Sequence, residues 1–372
     1  MKHDPATVLP VGECNKSGLK NRKNGRRFRM KISRKAIALM MAAAMIATLT
    51  ACGAQPAENS QENSQTEETS TYTIKIGHTL ATATPQHQGL LKLESLVEER
   101  TNGAVQIEIY PSSQIGDERE LVEGMMMGTV DGYLGSNATM TAWLSDFMVF
   151  DIPFIFDSYD HAFACYDGEI GDLLKQKCEE VGVHVLTFSD AGFSNFITGD
   201  TPITVPDDAK GLNIRVMESP GLMAYMSAIG ANPVPMGMSE VFTSLQNGTL
   251  DGGTWPIVVS YNNQYYTVID YLTYVDAVAT SIQTSISKSV WDALPEEYQE
   301  IITQASKEAV EHQRQLLLDN TDALLKEIEA SGVTIINADR KLWKETVFDY
   351  CLDAMVPQYV SQELVDMINA QK

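Results

Sequence analysis

Apolar and polar residues alternate from Tyr72 to Ile76, which is typical of a β-strand with one buried face. After Pro85 the apolar spacing changes to that of a helix, and a turn is expected at Asn102-Gly103. Alternation returns over residues 105–109. The apolar positions of the helix are Leu90, Leu93, Leu96 and Val97. The order strand, helix, strand predicts a parallel sheet and an α/β fold.

The same two periods predict further elements along the chain. The predicted helices cover Glu118 to Met127, Pro220 to Ile229 and Ser239 to Gln246, and the short strands cover Val130 to Leu134, Val183 to Phe188 and Leu212 to Val216. From Pro295, apolar residues recur at helical spacing as far as Gly332, which predicts a helix about 55 Å long at ~1.5 Å per residue. A helix of that length is expected to run along more than one compact unit.

The stretch from Tyr72 onward is longer than a single hydrophobic core usually serves, so two lobes are expected. The first lobe is assigned to residues 72–191 plus 281–320. The second lobe is assigned to residues 192–280 plus 321–372. The long predicted helix would then span both lobes.

The N-terminal 51 residues have the pattern of an upstream extension followed by a lipoprotein signal peptide. Lys31, Arg34 and Lys35 precede an uncharged apolar run that ends in the motif Leu49-Thr50-Ala51-Cys52-Gly53. Cleavage before Cys52 would expose it for lipidation, and residues 52–71 are polar enough to serve as a flexible tether. The expected location is therefore outside the cytoplasmic membrane, lipid-anchored or periplasmic. A transmembrane anchor or a buried helix is the alternative interpretation of the apolar run.

Charge and chemistry exclude several classes of function. The net charge is −22 for the whole chain, and about −31 after Ala51, which argues against nucleic-acid binding. The histidines have no metal-ligand spacing and no phosphate-binding glycine loop follows a strand, so neither an enzyme nor a cofactor is expected. Cys165, Cys178 and Cys351 are expected to be buried free thiols, with a Cys165–Cys178 bridge left open.

Seven short motifs resemble the substrate-binding subunits of tripartite ATP-independent periplasmic (TRAP) transporters, the DctP family. They occur in the family's order over more than 180 residues. The motifs are Tyr110–Glu120, Gly128–Gly132, Asp151–Phe156, Lys210–Val216, Gly230–Met236 with Ser239-Glu240, Leu245–Gly252 and Trp291–Glu297. The resemblance implies two α/β lobes of the periplasmic-binding-protein type, joined by crossing strands and spanned by a long helix. It also implies that a small organic acid is enclosed between the lobes.

The resemblance further implies partners and binding residues. The partners would be a small DctQ-like and a large DctM-like membrane subunit driven by an ion gradient. Arg215 matches the arginine that clamps a substrate carboxylate, a task suited to the planar guanidinium. Ser194 stands where many members carry a second arginine, and Trp255 stands where an asparagine often binds the ligand. Trp255 is interpreted either as a flat pocket wall or as a core tryptophan.

One arginine and one tryptophan favour a monocarboxylate with an apolar or hydroxylated body, because a second buried anion would lack a partner. A dicarboxylate binder, and a sensor subunit that signals through a membrane partner, remain the alternatives. The weaker ligand-contact candidates are His78 and Thr79 after the first strand, Ser136 and Asn137 after a later strand, and Met238. His78 is equally well interpreted as a structural histidine.

Overall fold

The computed structural model describes residues 71–372. The predictions for the upstream extension, the signal peptide, Cys52 and nearly all of the tether fall outside these described residues. The strands of the described part are β1 (Tyr72–Gly77), β2 (Val105–Tyr110), β3 (Gly132–Ser136), β4 (Val183–Thr198), β5 (Asn213–Val216), β6 (Asn232–Pro235), β7 (Gly252–Pro256), β8 (Tyr271–Ser287) and β9 (Thr334–Asn337).

Helices alternate with these strands. They are α1 (Pro85–Arg100), α2 (Glu118–Met126), α3 (Asn137–Met140), α4 (Tyr159–Asp167), α5 (Glu169–Glu180), α6 (Pro220–Ala228), α7 (Met238–Gln246), α8 (Ile257–Asn262), α9 (Lys288–Asp292), α10 (Glu296–Ala330), α11 (Arg340–Met355) and α12 (Gln362–Asn369). Short 3₁₀ segments cover Ser145–Asp151, Pro206–Ala209 and Tyr265–Thr267. The predicted α/β class is confirmed by this alternation.

Local sequence explains where the first helices begin and end. Thr84 caps α1 by accepting a hydrogen bond from the His87 backbone N–H, and Pro85 occupies the first turn. The turn that follows α1 has a left-handed backbone at Gly103, with φ of 78°. At α2, Asp117 and Glu120 form a reciprocal capping box. The start of α2 is therefore fixed by side chains of its own first turn.

The nine strands of the described part form one sheet in the order β2-β1-β3-β8-β4-β7-β5-β6, with β9 paired to β8. One parallel group contains β1, β2 and β3, and another contains β5, β6 and β7. The long strands β4 and β8 run antiparallel between these groups. They cross the residue boundaries assigned to the two lobes, and those boundaries stay a prediction.

The predicted strand Val183 to Phe188 is too short, because β4 continues to Thr198. The residues after Phe188 lose the apolar alternation, since Ser189 and Asp190 are buried polar residues. Register shifts between Asp190 and Phe193 keep the strand paired with β8 across this interruption. The alternation of apolar and polar residues alone therefore does not predict that a strand continues past such a bulge.

Two hydrophobic clusters cover the two faces of the sheet. Neighbouring residues on one strand belong to different clusters, as Tyr133 and Leu134 do on β3 and as Phe196 and Ile197 do on β4. This is the outcome expected when successive side chains point to opposite faces. Cys165, Cys178 and Cys351 are buried free thiols, so the expectation of free thiols is confirmed and the Cys165–Cys178 bridge is not formed.

The long helix α10 has 35 residues and lies along both predicted lobes. Arg100 of α1 makes a two-pronged ion pair with Glu308, at 3.0 and 2.7 Å. Farther along α10, Tyr261 of α8 donates its hydroxyl to Glu327. The helix predicted from Pro295 to Gly332 is thus confirmed, including its reach along both parts of the sheet.

Candidate functional site

Two adjoining cavities share the side chains of Glu118, Arg215, Met217 and Met238. The inner cavity takes in about 420 Å³ and the outer one about 710 Å³, and both volumes include space that is open to solvent. The inner cavity lies where β3 and β7 end and where the chain leaves β1 and β5. The carboxyl ends of parallel strands are the usual place for a ligand in an open α/β sheet.

Arg215 projects from β5 into the wall of both cavities and is only 4% exposed. Its Nε donates a hydrogen bond to the Met236 carbonyl at 3.0 Å. Among the described residues its two terminal NH₂ groups have no hydrogen-bond partner and the side chain has no ion pair. Burial lowers the pKa of this guanidinium, but arginine remains charged at neutral pH. The cavity wall therefore contains a buried cation whose terminal donors find no acceptor in the described part of the chain.

Trp255 lies beside this guanidinium. The Cζ atom of Arg215 is 5.3 Å from the indole centroid, a cation–π distance. The Tyr265 ring packs against the indole with centroids 4.9 Å apart. The indole is 2% exposed, and its buried Nε1 has no partner within residues 71–372. Both interpretations of Trp255 describe it, because it belongs to a core cluster and also borders the inner cavity.

Glu118 is a cavity residue that sequence reasoning missed. Its carboxylate accepts a hydrogen bond from Thr139 Oγ1 at 2.8 Å, and longer ones from the Ser136 N–H and Thr79 Oγ1, both at 3.4 Å. Burial raises the pKa of Glu118, while the Thr139 hydrogen bond and the charge of Arg215 oppose that rise. The capping box on either side of Glu118 was the available signal, but it indicates a helix start rather than a binding site.

Four of the eight predicted contact residues border the cavity: Arg215, Trp255, Ser136 and Met238. Ser136 also caps α3 by accepting a hydrogen bond from the Ala138 N–H. The sulfur of Met238 accepts a hydrogen bond from the Tyr265 hydroxyl at 2.9 Å. The α3 backbone thereby holds Ser136, and the Tyr265 hydroxyl holds Met238, in the cavity wall.

Two more predicted residues make hydrogen bonds to side chains that line the inner cavity. Thr79 donates to Glu118, as described above. Ser194 exchanges a hydrogen bond of 2.7 Å with Thr280, and Thr280 borders the inner cavity. Neither the Thr79 nor the Ser194 hydroxyl lines the cavity directly.

His78 and Asn137 do not border either cavity. The Leu80 N–H donates to His78 Nδ1 at 3.2 Å, so His78 Nε2 carries the proton and donates to His87 Nδ1 at 2.9 Å. Burial lowers the pKa of His78 to about 4, which keeps the ring neutral. Asn137 is fully buried, and its amide has no partner in the described part of the chain. The interpretation of His78 as a structural histidine agrees with this geometry.

The mouth of the outer cavity is crossed by contacts between the two predicted lobes. Arg119 Nη1 of α2 pairs with Glu218 Oε2 at 2.9 Å, and Ser239 Oγ donates to Asp117 Oδ2 at 2.9 Å. The border of this cavity carries five carboxylates and two guanidinium groups. The approach to Arg215 is therefore acidic.

Residues 76–355 match the family described as bacterial extracellular solute-binding protein, family 7 (DctP). The chain belongs to this family. It is 32% identical over 279 residues to the C4-dicarboxylate-binding periplasmic protein DctP of Rhodobacter capsulatus, covering 74% of this chain and 84% of that protein. It is 30% identical over 285 residues to the 2,3-diketo-L-gulonate-binding periplasmic protein YiaO of Escherichia coli K12, covering 76% and 87%.

A solved family structure has the same fold. The TRAP periplasmic solute-binding protein of Polaromonas sp. JS666 bound to D-erythronate superposes with a TM-score of 0.77 at 28% identity, covering 80% of this chain and 98% of that one. The predicted TRAP solute-binding resemblance and two-lobed fold class are confirmed by these matches. The family serves transport, and it is not an enzyme family.

Two further observations concern the described residues. None of the helices α1 to α12 combines the length and apolar character that crossing a membrane requires. Within residues 71–372, no three His, Cys, Asp or Glu side chains are grouped so as to hold a metal ion.

Proposed function

We propose that this DctP-family protein binds a small organic acid with one principal carboxylate, held by Arg215, for uptake through a TRAP transporter. The observation that carries the proposal is the buried guanidinium, whose Nε donates to the Met236 carbonyl while its terminal donors have no partner among residues 71–372. A carboxylate can accept two parallel hydrogen bonds from such a group. The ligand then supplies the charge that the buried cation lacks.

The charges around the cavity support a monoanion. Glu118 borders the same inner cavity as Arg215, and the outer border carries three more carboxylates than guanidinium groups. A second ligand carboxylate would be desolvated beside these acidic groups without a partner of its own. A ligand hydroxyl would instead find an acceptor in Glu118. Hydroxylated monocarboxylates such as D-erythronate are therefore the favoured ligands.

A dicarboxylate is the second candidate, because the chain is 32% identical to a C4-dicarboxylate-binding protein. In that case the second carboxylate would need backbone donors or a protonated Glu118. The raised pKa of Glu118 makes protonation more accessible than for an ordinary glutamate. Succinate separates this candidate from the first.

The proposal includes partners and an anchor. The partners are a small DctQ-like and a large DctM-like membrane subunit that use an ion gradient, as the family resemblance implies. Lipidation of Cys52 would attach the protein to the outer side of the cytoplasmic membrane, with the ligand-binding lobes beyond a flexible tether. The lobes would close over the ligand through the contact that joins the start of α2 to α7, between Asp117 and Ser239.

Calorimetric titration and thermal shift with D-erythronate, 2,3-diketo-L-gulonate and succinate test the binding proposal. Binding of at least one acid is expected, with stabilisation that grows with the logarithm of its concentration. Arg215→Gln should weaken that binding by about 2–5 kcal/mol, as for truncation of a buried charge pair. Arg215→Lys should also weaken it, because lysine cannot form the two-pronged contact.

Arg119→Gln is the matched control. Arg119 lies at the mouth, its side chain is 54% exposed, and its ion pair with Glu218 is of the exposed kind that contributes little. The affinity of Arg119→Gln should stay within a few-fold of the parent protein. Equal affinity in the parent and in Arg215→Gln would exclude Arg215 from recognition, and failure of all organic acids to bind would end the proposal itself.

A further inference from the structure

Strand β7 contains two adjacent glycines, Gly252 and Gly253, and Trp255 lies two residues after the second of them. A Cβ atom added at Gly253 would lie 2.1 Å from Cζ3 and 2.2 Å from Cη2 of the Trp255 indole. These distances are far inside van der Waals contact. The indole therefore covers the face of Gly253 and uses the space that any other residue's side chain would occupy.

The position of Gly253 links this packing to Arg215. In the parallel ladder of β5 and β7, Gly253 is the register partner of Arg215. Residues two apart on a strand share a face, so Trp255 and Gly253 lie on the same face of β7. The indole of Trp255 folds back over Gly253 and thereby toward Arg215. Its centroid ends 5.3 Å from the Arg215 Cζ atom, and the Tyr265 ring packs against it at 4.9 Å.

The guanidinium is consequently fixed by two neighbours of different kinds. The Met236 carbonyl accepts a hydrogen bond from its Nε, and its Cζ atom lies over the Trp255 ring. The indole N–H is itself buried and has no partner among the described residues. A buried donor of this kind calls for an acceptor, and the Trp255 side chain borders the inner cavity.

We infer that Gly253 is a specificity-determining position: it lets the Trp255 indole fold onto Arg215, so that both side chains bind an acid with an acceptor oxygen besides its carboxylate. This inference rests on the proposed function. The ligand class is that of 2-hydroxy and 2-oxo acids. Gly253 acts through Trp255, and Trp255 in turn orients Arg215.

The test uses Gly253→Ala with Gly199→Ala as its matched control. Gly199 directly follows β4, an added Cβ there meets no atom within 4 Å, and its backbone is not left-handed. Titration with D-erythronate should show binding about tenfold weaker or more in Gly253→Ala, because the displaced indole no longer orients the guanidinium. Gly199→Ala should bind as the parent does.

Trp255→Phe is the second single variant of a double-mutant cycle with Gly253→Ala. Its phenyl ring lacks the distal edge that overlaps the added methyl group, and it lacks the N–H donor. Trp255→Phe should weaken D-erythronate binding, and adding Gly253→Ala to it should cause little further loss, because the two residues act as a unit. Ligand-induced change in tryptophan fluorescence should be reduced in Trp255→Phe.

Each outcome decides between the hypotheses. If the parent protein binds none of the organic acids, the proposed function fails. If the parent binds D-erythronate and Gly253→Ala binds it equally well, or if the losses in the two single variants simply add, the inference is overturned. If Gly253→Ala folds poorly, its lowered melting temperature should recover in the double variant Gly253→Ala/Trp255→Phe. No recovery would contradict the overlap between the added methyl group and the indole.

Discussion

Replacing Glu118 by Gln removes one negative charge from the inner cavity while keeping the shape of the side chain. Because Arg215 and Glu118 border the same inner cavity, we expect a second ligand carboxylate, outside the Arg215 contact, to lie near Glu118. We expect Glu118→Gln to strengthen succinate binding and to weaken D-erythronate binding. Succinate loses a repulsion, whereas a hydroxylated acid loses a charged acceptor for its hydroxyl group.

The magnitude depends on the distance between the second ligand carboxylate and the Glu118 carboxylate. Two unit charges about 6–9 Å apart repel by about 2–3 kcal/mol at an effective dielectric constant near 20. Glu118 is half-buried, so solvent reduces this repulsion, and we take about 1–2 kcal/mol as the expected gain for succinate. That gain corresponds to roughly 5- to 30-fold in affinity.

The assay is calorimetric titration of both acids between pH 5 and pH 8. Burial raises the pKa of Glu118, so its carboxyl group binds a proton at a higher pH than an ordinary glutamate. As the pH falls, succinate binding to the parent protein should therefore strengthen relative to D-erythronate binding. Glu118→Gln should reduce that relative change to the part that comes from the second carboxyl group of succinate itself, because the amide that replaces the Glu118 carboxyl group does not titrate.

Two results would refute this reasoning. Succinate affinity that is unchanged or lower in Glu118→Gln would mean that Glu118 does not repel a second carboxylate. An identical relative pH dependence in the parent and the variant would assign the titration to another group. Glu240→Gln is a control, because Glu240 borders the outer cavity but not the inner one.

Two further predictions concern stability and location. Burial raises the pKa of Asp190 to about 7, so folding binds a proton there and stability is lost as the pH rises from about 4 to about 7. Between pH 5 and pH 7.5 the free energy of unfolding, measured by chemical denaturation, should fall by about 2 kcal/mol less in Asp190→Asn than in the parent protein. Equal decreases in the two proteins would contradict this prediction. Cys52→Ser should move the protein from the membrane fraction to the soluble fraction, and retention on the membrane would contradict lipidation at Cys52.

The sequence predicted those elements whose signal is local. Strand β1, helices α1 and α2 and the long helix α10 follow from the spacing of apolar residues. These signals act within a few residues, so no knowledge of distant contacts is required. The full length of β4 escaped prediction because its pairing with β8 continues through buried polar residues and register shifts.

The site was only partly predictable for the same physical reason. Arg215 and Trp255 stood out by residue type and motif, but Glu118 and Gly253 did not, because their place depends on which strand ends meet. Parallel pairing of β5 with β7 sets Gly253 opposite Arg215, and the packing of α2 brings Glu118 to the same cavity. The sequence by itself thus determined the elements and the family pattern, whereas tertiary contacts between distant segments decided which side chains share the cavity.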